Sequence, residues 1–300
     1  MKKLGIGQPI VGTEIQHINL DAYPRLSSVG YFSPLRYPGG KGFLTGYLAS
    51  AIEALPSENG ASYVEPYCGG AGAALALLGQ GKVDRVYLND RDVRVYSIWR
   101  AMLQENQRFL EVLKATPVTL KTWRESREVL EDAGDSYSFE VGFAAYFINR
   151  TSRSGIIFGS GPIGGYKQQG NWKIDARYYK ETMERRIQWL GSQSRKIALS
   201  NEDGLPFLRR CTKQLDGAST LYFVDPPYVQ AGSRLYLNAM NDKLHRDLAT
   251  FLKSDACKHW VLTYDNDPLI RELYDGRKMS YLSVNYSLRK TRKENELLVR

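Results

Sequence analysis

Apolar positions at Leu44, Leu48, Ala51 and Leu55 repeat at i, i+4, i+7 and i+11, which predicts a helix running from Phe43. Two strand-like segments follow. Residues 62–67 run into the small-residue stretch Cys68-Gly69-Gly70-Ala71-Gly72, and residues 85–90 end in an acid, Asp90. A helix is expected after each, the second carrying Tyr96, Trp99 and Leu103 along one face. Strand–helix alternation of this kind predicts a parallel α/β sheet. The alternation is lost between 105 and 194, where helix-like pieces give way to Asn149-Arg150-Thr151-Ser152-Arg153-Ser154-Gly155 and the loop Gly161-Pro162-Ile163-Gly164-Gly165. It resumes with strands at 196–200, 220–224 and 259–264 and helices near 241–253 and 268–275. Segments 279–288 and 296–300 flank the charged turn Arg289-Lys290-Thr291-Arg292-Lys293 and read as an antiparallel hairpin at the sheet edge. The expected organisation is one α/β domain built from 31–104 and 195–300. A module spanning 105–194 interrupts it, and an extension of 1–30 precedes it, for which the pattern suggests no role.

Composition narrows the class. With 43% hydrophobic and 24% charged residues the chain has material for a core and does not read as disordered. No apolar run approaches the ~20 residues needed to span a bilayer. The Met-Lys-Lys start is followed by Gln8, Pro9 and Glu14 rather than by the apolar segment of a secretory leader, so a cytoplasmic protein is expected. Three cysteines and three histidines are scattered without a CxxC, which argues against a disulfide scaffold or a zinc site; no metal is expected. The excess of 41 Lys+Arg over 32 Asp+Glu, a formal charge of +9, favours polyanionic partners.

Two places carry chemistry. In an open parallel sheet, ligands bind outside the carboxyl ends of the strands, and the glycines of Cys68-Gly69-Gly70-Ala71-Gly72 sit at such an end. Asp90 ends the next strand about 20 residues on, where a carboxylate takes ribose hydroxyls. Gly70-x-Gly72 also begins a dinucleotide fingerprint, but Leu75 stands where the third glycine belongs. An adenosine-bearing cofactor therefore competes here with a glycine-rich packing turn. A phosphate-loop reading of the stretch from Ser33 to Lys41 fails, because Leu35 replaces the first glycine and Gly42 the hydroxyl residue. Lys41 alone is compatible with a solvated surface charge. The second place is Asp225-Pro226-Pro227-Tyr228, directly after the apolar run Thr220–Val224. The prolines make a rigid turn without backbone donors, whose carbonyls are left to accept hydrogen bonds. A strand-ending Pro-Pro turn explains the prolines but not the flanking acid and tyrosine.

With that tetrapeptide the sequence resembles the Dam-type family of DNA adenine-N6 methyltransferases. The resemblance covers about 32–300 and rests on Arg36-Tyr37-Pro38-Gly39-Gly40-Lys41, Val64-Glu65-Pro66-Tyr67-Cys68-Gly69-Gly70, Asn89-Asp90, Asn149-Arg150, Asp225-Pro226-Pro227-Tyr228 and the terminal Glu296-Leu297-Leu298. It implies a Rossmann-like, S-adenosylmethionine-dependent α/β fold with an inserted, mainly helical target-recognition module and a C-terminal antiparallel hairpin. It implies that Tyr37 and Lys41 contact the methionine part of the cofactor, although many members have Trp where this chain has Tyr37. Glu65, Pro66, Tyr67, Cys68, Gly69 and Gly70 are expected to form the cofactor loop, although Cys68 and Gly70 depart from the commoner residues. Asp90 is expected at the ribose, Asp203 at the adenine, and Asp225 beside the methyl group. Asp225 and the Pro226 carbonyl are expected to accept the two N–H bonds of the target adenine's amino group, with Tyr228 stacked on the base. Arg150, Thr151, Arg153, Ser154, Lys167, Lys173 and Arg177 are expected to meet double-stranded DNA. The turn at 289–293 reads rather as a solvated hairpin end.

The implied setting is prokaryotic or phage, with a restriction or phage-defence component as a possible partner and a monomer or weak dimer as the expected state. Cytosine-N4 or RNA amino-methylation, and a non-catalytic DNA-binding regulator of the same fold, remain the alternatives.

Overall fold

The computed structural model of the protein describes residues 15–24, 33–37, 39–57, 60–229, 240–287 and 291–300. Eight strands form one sheet: β1 (Gln16–His17), β2 (Ser62–Glu65), β3 (Arg85–Asn89), β4 (Ile197–Ser200), β5 (Thr220–Val224), β6 (Trp260–Asp265), β7 (Met279–Ser287) and β8 (Thr291–Val299). Their order is β1-β7-β8-β6-β5-β2-β3-β4. Strand β8 runs antiparallel to both neighbours, and the other pairs are parallel. From β2 the chain builds outward through β3 and β4, then crosses back to add β5 on the other side of β2. The strand order reverses between β2 and β5, so the loops leaving their carboxyl ends open a crevice there.

Alternation along the central strands divides the core. Tyr63, Leu221, Phe223 and Val261 belong to one apolar cluster, and Val64, Tyr222, Val224 and Leu262 to a second. Strands buried on both faces read as near-continuous apolar runs, as β5 does with all five residues buried. The first cluster is covered by α1 (Thr45–Glu53), α2 (Gly72–Gly79) and α3 (Val93–Gln104), and by the helices that follow them: α4 (Asn106–Ala115), α5 (Leu120–Glu131), α6 (Phe139–Thr151) and α7 (Lys180–Gln193). The second is covered by α8 (Gly204–Gln214), α9 (Asp242–Leu252) and α10 (Pro268–Leu273).

The helices of 105–194 share the sheet's core. Every residue of α6 except Glu140 is buried, as expected of a helix that is apolar on all sides. At Gly142 an added Cβ would lie 2.4 Å from the Ser97 carbonyl oxygen, so only glycine allows α6 to approach α3 this closely. One apolar cluster accordingly runs from Leu44 and Leu77 through Trp99 to Phe147 and Ile187.

Strand positions follow the periodicity to within two residues except in β8. That strand begins at Thr291, five residues before the expected strand and inside the expected charged turn, because its pairing with β7 extends through those charged positions. Strand β2 stops at Glu65 because Pro66 cannot donate to a ladder. Two elements carry too little signal to be read from pattern. Helix α8 hides behind Pro206, which its first turn tolerates. Strand β1 is two residues long and pairs with Ser280 and Tyr281 at the sheet edge. Residues 15–24, expected to belong to an extension, are thus partly in the sheet, where Gln16–His17 covers the hydrogen-bonding edge of β7. Residues 1–14 and 25–30 of that extension, Pro38, and the turn residues Arg289 and Lys290 lie outside the described residues.

Candidate active site

Asp225 follows the carboxyl end of β5 and is held by three donors. Lys41 Nζ reaches Oδ2 at 2.9 Å, and Thr263 Oγ1 and Tyr228 Oη donate to Oδ1 at 2.6 and 3.2 Å. Lys41 itself is 5% exposed and also donates to the Gly39 carbonyl and to Tyr228 Oη. Its ammonium lies 3.6 Å from Glu296 Oε2 of β8. Burial by itself would lower the Lys41 pKa, but the carboxylates of Asp225 and Glu296 outweigh it and leave the pKa raised. Lys41 is therefore a buried cation shared by two acids, not a solvated charge.

The segment bearing Tyr37 and Lys41 is pinned across the crevice from β5. Asn149, fully buried, accepts from Arg36 N at 2.9 Å and donates to the carbonyls of Arg36 and Gly155 at 2.7 and 2.8 Å. Gly155 has φ +74°, and a Cβ there would sit 2.2 Å from the Arg36 oxygen, so a side chain is excluded. The Tyr37 ring in turn lies on the loop after β2: a Cβ at Gly69 would come within 2.6 Å of Tyr37 Cε1. The carbonyl of Gly69 accepts from Trp99 Nε1 at 2.8 Å, and that of Gly70 from Ser33 Oγ at 2.6 Å. Asp90 accepts from Gly69 N at 3.0 Å and Asp92 N at 2.9 Å, so each oxygen retains one lone pair for a ligand. Burial first, and the nearby Asp92 carboxylate second, push its pKa up to about 7.

These parts enclose one cavity of about 790 Å³. Of the residues singled out from sequence, Tyr37, Lys41, Glu65, Tyr67, Cys68, Gly69, Gly70, Asp90, Asp203, Asp225 and Pro227 line it. Pro66 and Pro226 are buried in the turns behind it. Asp203 stands near the rim, paired with Arg91 at 2.9 Å, and Tyr67 packs on Gly204, where a Cβ would be 2.4 Å from its ring. Burial, with the Asp90 and Glu65 carboxylates, raises the Cys68 thiol well above its ordinary value, so it is no thiolate nucleophile. Tyr228 departs from expectation. It is 9% exposed and does not line the cavity; its ring packs at 6.1 Å on Tyr264 while its hydroxyl completes the clamp on Asp225. That placement offers a hydroxyl to Asp225 rather than a face to a base.

The residues expected to meet DNA separate. Arg153, Lys167, Lys173 and Arg177 are exposed and Ser154 is half-buried. Lys173 Nζ, however, is bonded to the carbonyls of Gln168 and Gly170, where it closes its own loop. Thr151 is fully buried, with its hydroxyl on the Phe147 carbonyl, which removes it from any DNA-facing surface. Arg150 is 4% exposed and lines the cavity, not an outer face. Thr263 and Arg186 escaped the sequence reading, and Trp99 and Arg36 were named there without a role at the site. A threonine in a buried strand looks like any β-former, and the other three show their use only through residues distant in sequence.

A profile of the D12 class N6 adenine-specific DNA methyltransferases matches residues 37–288. The chain belongs to this family. As a D12-class methyltransferase it has a Rossmann-like fold and depends on S-adenosylmethionine, which agrees with the crevice at the β2–β5 switch. Among solved structures it is similar to an S-adenosylmethionine-dependent methyltransferase from Agrobacterium tumefaciens, at 11% identity over 85% of this chain, with a TM-score of 0.39. The chain spans 59% of the length of that protein. It is also similar to the rRNA methyltransferase aviRa from Streptomyces viridochromogenes, at 16% identity over 91% of this chain and 90% of the other, with a TM-score of 0.40. No curated protein sequence matches it. Among the described residues no helix is long and apolar enough to cross a membrane, and no group of three or more metal-ligating side chains is assembled.

The D12 site should titrate even when empty. Glu65 is 5% exposed, accepts from Tyr63 Oη at 3.0 Å, and is pushed up to about 8, chiefly by burial and then by the Asp225 charge. A carboxyl whose folded pKa lies above its unfolded value stabilises fully below the unfolded value, here 4.5, and that stabilisation is lost as pH rises through about 8. The cofactor-free protein is therefore expected to lose melting temperature progressively from about pH 4 to about pH 8, the span between the unfolded and folded values of Asp90 (3.8 to about 7) and Glu65 (4.5 to about 8). Glu65→Gln should flatten part of that fall; a variant with the wild-type slope would assign the titration elsewhere.

Proposed function

We propose that the protein methylates N6 of an adenine swung out of double-stranded DNA at a specific sequence. One observation carries the reading: the Asp225 carboxylate, oriented by Lys41, Thr263 and Tyr228, opens into the same cavity as the glycine loop after β2. The family match adds the adenine and the DNA. Residues 31–104 and 195–300 would form the catalytic part and 105–194 the recognition part.

A cavity of about 790 Å³ falls within the usual range for cofactor clefts, roughly 300–1,000 Å³, and its wall carries the acceptor Asp90 beside the glycine loop. Tyr37, Lys41, Glu65 to Gly70, Asp90 and Asp203 would hold S-adenosylmethionine. The cofactor supplies an electrophilic methyl group on a sulfonium. The adenine amino group is a poor nucleophile, because its lone pair is delocalised into the ring. Asp225 would accept one of its N–H bonds with a lone pair the three donors leave unused, and the Pro226 carbonyl the other. Both bonds localise the lone pair toward the methyl group. Pro226 and Pro227 bring no N–H of their own, so the turn offers acceptors only. Positioning and fixed electrostatics supply the acceleration, and no covalent enzyme intermediate is required. Tyr228 and Thr263 act by orienting the carboxylate.

Extruding the base costs a few kcal/mol, offset by contacts to the flanking strand. Arg153, Ser154 and Lys167 lie at least partly exposed on the insertion, and exposed Arg177 stands on the cavity wall; all four would serve that strand. A monomer or weak dimer is the state this reading carries. A prokaryotic or phage cytoplasm, with or without a restriction or defence component, is the setting this reading carries.

The test is incubation with methyl-labelled S-adenosylmethionine and unmodified mixed-sequence DNA, followed by digestion to nucleosides. Label in N6-methyladenine is expected. Label in N4-methylcytosine, or transfer to RNA alone, would overturn the substrate while leaving the methyltransferase in place.

A further inference from the structure

Four arginines, Arg36, Arg150, Arg177 and Arg186, line the cavity, the last three from residues 105–194. None of them is ion-paired with a carboxylate among the described residues. Uncharged groups hold their guanidinium ends instead. Arg36 donates to the Ser152 carbonyl at 3.0 Å, Arg186 to that of Ser33 at 2.8 Å, and Arg150 to those of Pro34 and Arg177. Arg177 donates to Tyr179 Oη at 2.7 Å. These contacts orient four cations without neutralising them. Arg150 is 96% buried by its 4% exposure, and its Nε has no hydrogen-bond partner. Burial, then the charges of Arg36 and Arg186, bring Arg150 down to about 10, and burial followed by Arg177 lowers Arg36.

Buried like charges without counter-ions are costly unless an anion joins them. We propose that Arg36, Arg150, Arg177 and Arg186 form an oxyanion site inside the cleft that takes the phosphodiester next to the extruded adenosine. This inference rests on the DNA reading above and gives it a contact inside the cleft. Two features favour phosphate over the cofactor's own carboxylate. A zwitterionic amino acid brings its ammonium along with its carboxylate and leaves four cations nearly uncompensated, whereas a nucleic-acid strand brings a charge at every step. The arginines also grade outward, from buried Arg150 through half-buried Arg36 and Arg186 to exposed Arg177, as suits a ligand entering from outside. Planar guanidinium forks match phosphate oxygens in pairs.

Arg186→Gln and Arg177→Gln test it, with Arg186→Lys to keep the charge. Methylation of mixed-sequence DNA is followed over a salt series, with melting temperature as the control for folding. Each glutamine variant is expected to raise the KM for DNA roughly tenfold and to lower the slope of log affinity against log salt by about one. The KM for S-adenosylmethionine should not move, and Arg186→Lys should restore the slope. A raised KM for S-adenosylmethionine with unchanged DNA behaviour would assign the cluster to the cofactor and overturn the proposal. So would variants indistinguishable from wild type. A wild type that methylates no DNA would instead sink the function proposed above. Filter binding of the same DNA to protein loaded with S-adenosylhomocysteine then still reads the salt slope and judges the arginine site by itself.

Discussion

Asp225→Ala is expected to lower the rate of methyl transfer by about a thousandfold, the upper end of what removing one oriented electrostatic contact costs, while S-adenosylmethionine still binds. In the proposed reaction this carboxylate is the acceptor, and the side chains around it would orient it. Lys41, Thr263 and Tyr228 all donate to it, and each loses a partner in the variant. The fold should survive, because Lys41 keeps Glu296 at 3.6 Å, the Gly39 carbonyl and the Tyr228 hydroxyl. Single-turnover transfer of label to DNA, alongside calorimetric titration of the cofactor, separates the two effects. Turnover near wild type would remove Asp225 from the chemistry; loss of cofactor binding together with turnover would make it a binding residue.

Lys41→Met is expected to do the reverse damage, to stability as well as to rate. Its side chain is 3% exposed and lies between Asp225 and Glu296, so removal leaves two acids around an empty charge position, one of them wholly buried. Breaking a buried pair from one side typically costs about 3–5 kcal/mol. Denaturant unfolding should show the deficit, and Lys41→Arg, which keeps a cation between the two acids, should recover more of it than Lys41→Met does. Equal deficits in the two variants would mean that lost packing, not unpaired charge, explains it.

Lys41 and Glu296 also show where reading from sequence stops. Both stood in segments that resemble the family, Arg36-Tyr37-Pro38-Gly39-Gly40-Lys41 and Glu296-Leu297-Leu298, yet nothing local says that they meet. They are 255 residues apart and touch only because β8 lies beside β6, itself next to β5. Asn149 was visible as part of a motif, but its task, clamping Arg36 against Gly155, joins two segments more than a hundred residues apart. Thr151 and Lys173 misled for the same reason. A polar or basic side chain in a loop has the composition of a DNA contact whether it faces solvent or closes the loop on itself. Tyr228 was placed by motif beside Asp225, and only the fold shows its ring packed on Tyr264 with its hydroxyl on the Asp225 carboxylate.

What local pattern decides is which residues form strands and where each strand ends, because alternation, apolar runs and proline act within a few residues. That was enough to put the glycine loop, Asp90 and Asp225-Pro226-Pro227-Tyr228 at carboxyl ends, and the tetrapeptide and its companions were enough to name the chemistry. Tertiary structure alone decided the side-chain contacts across the crevice: the Lys41–Asp225–Glu296 cluster, the Asn149 clamp and the four arginines that have no counter-ion among the described residues. The energy of such contacts depends on burial and on distances of a few ångströms between groups tens or hundreds of residues apart, and neither quantity is written in any short stretch of chain.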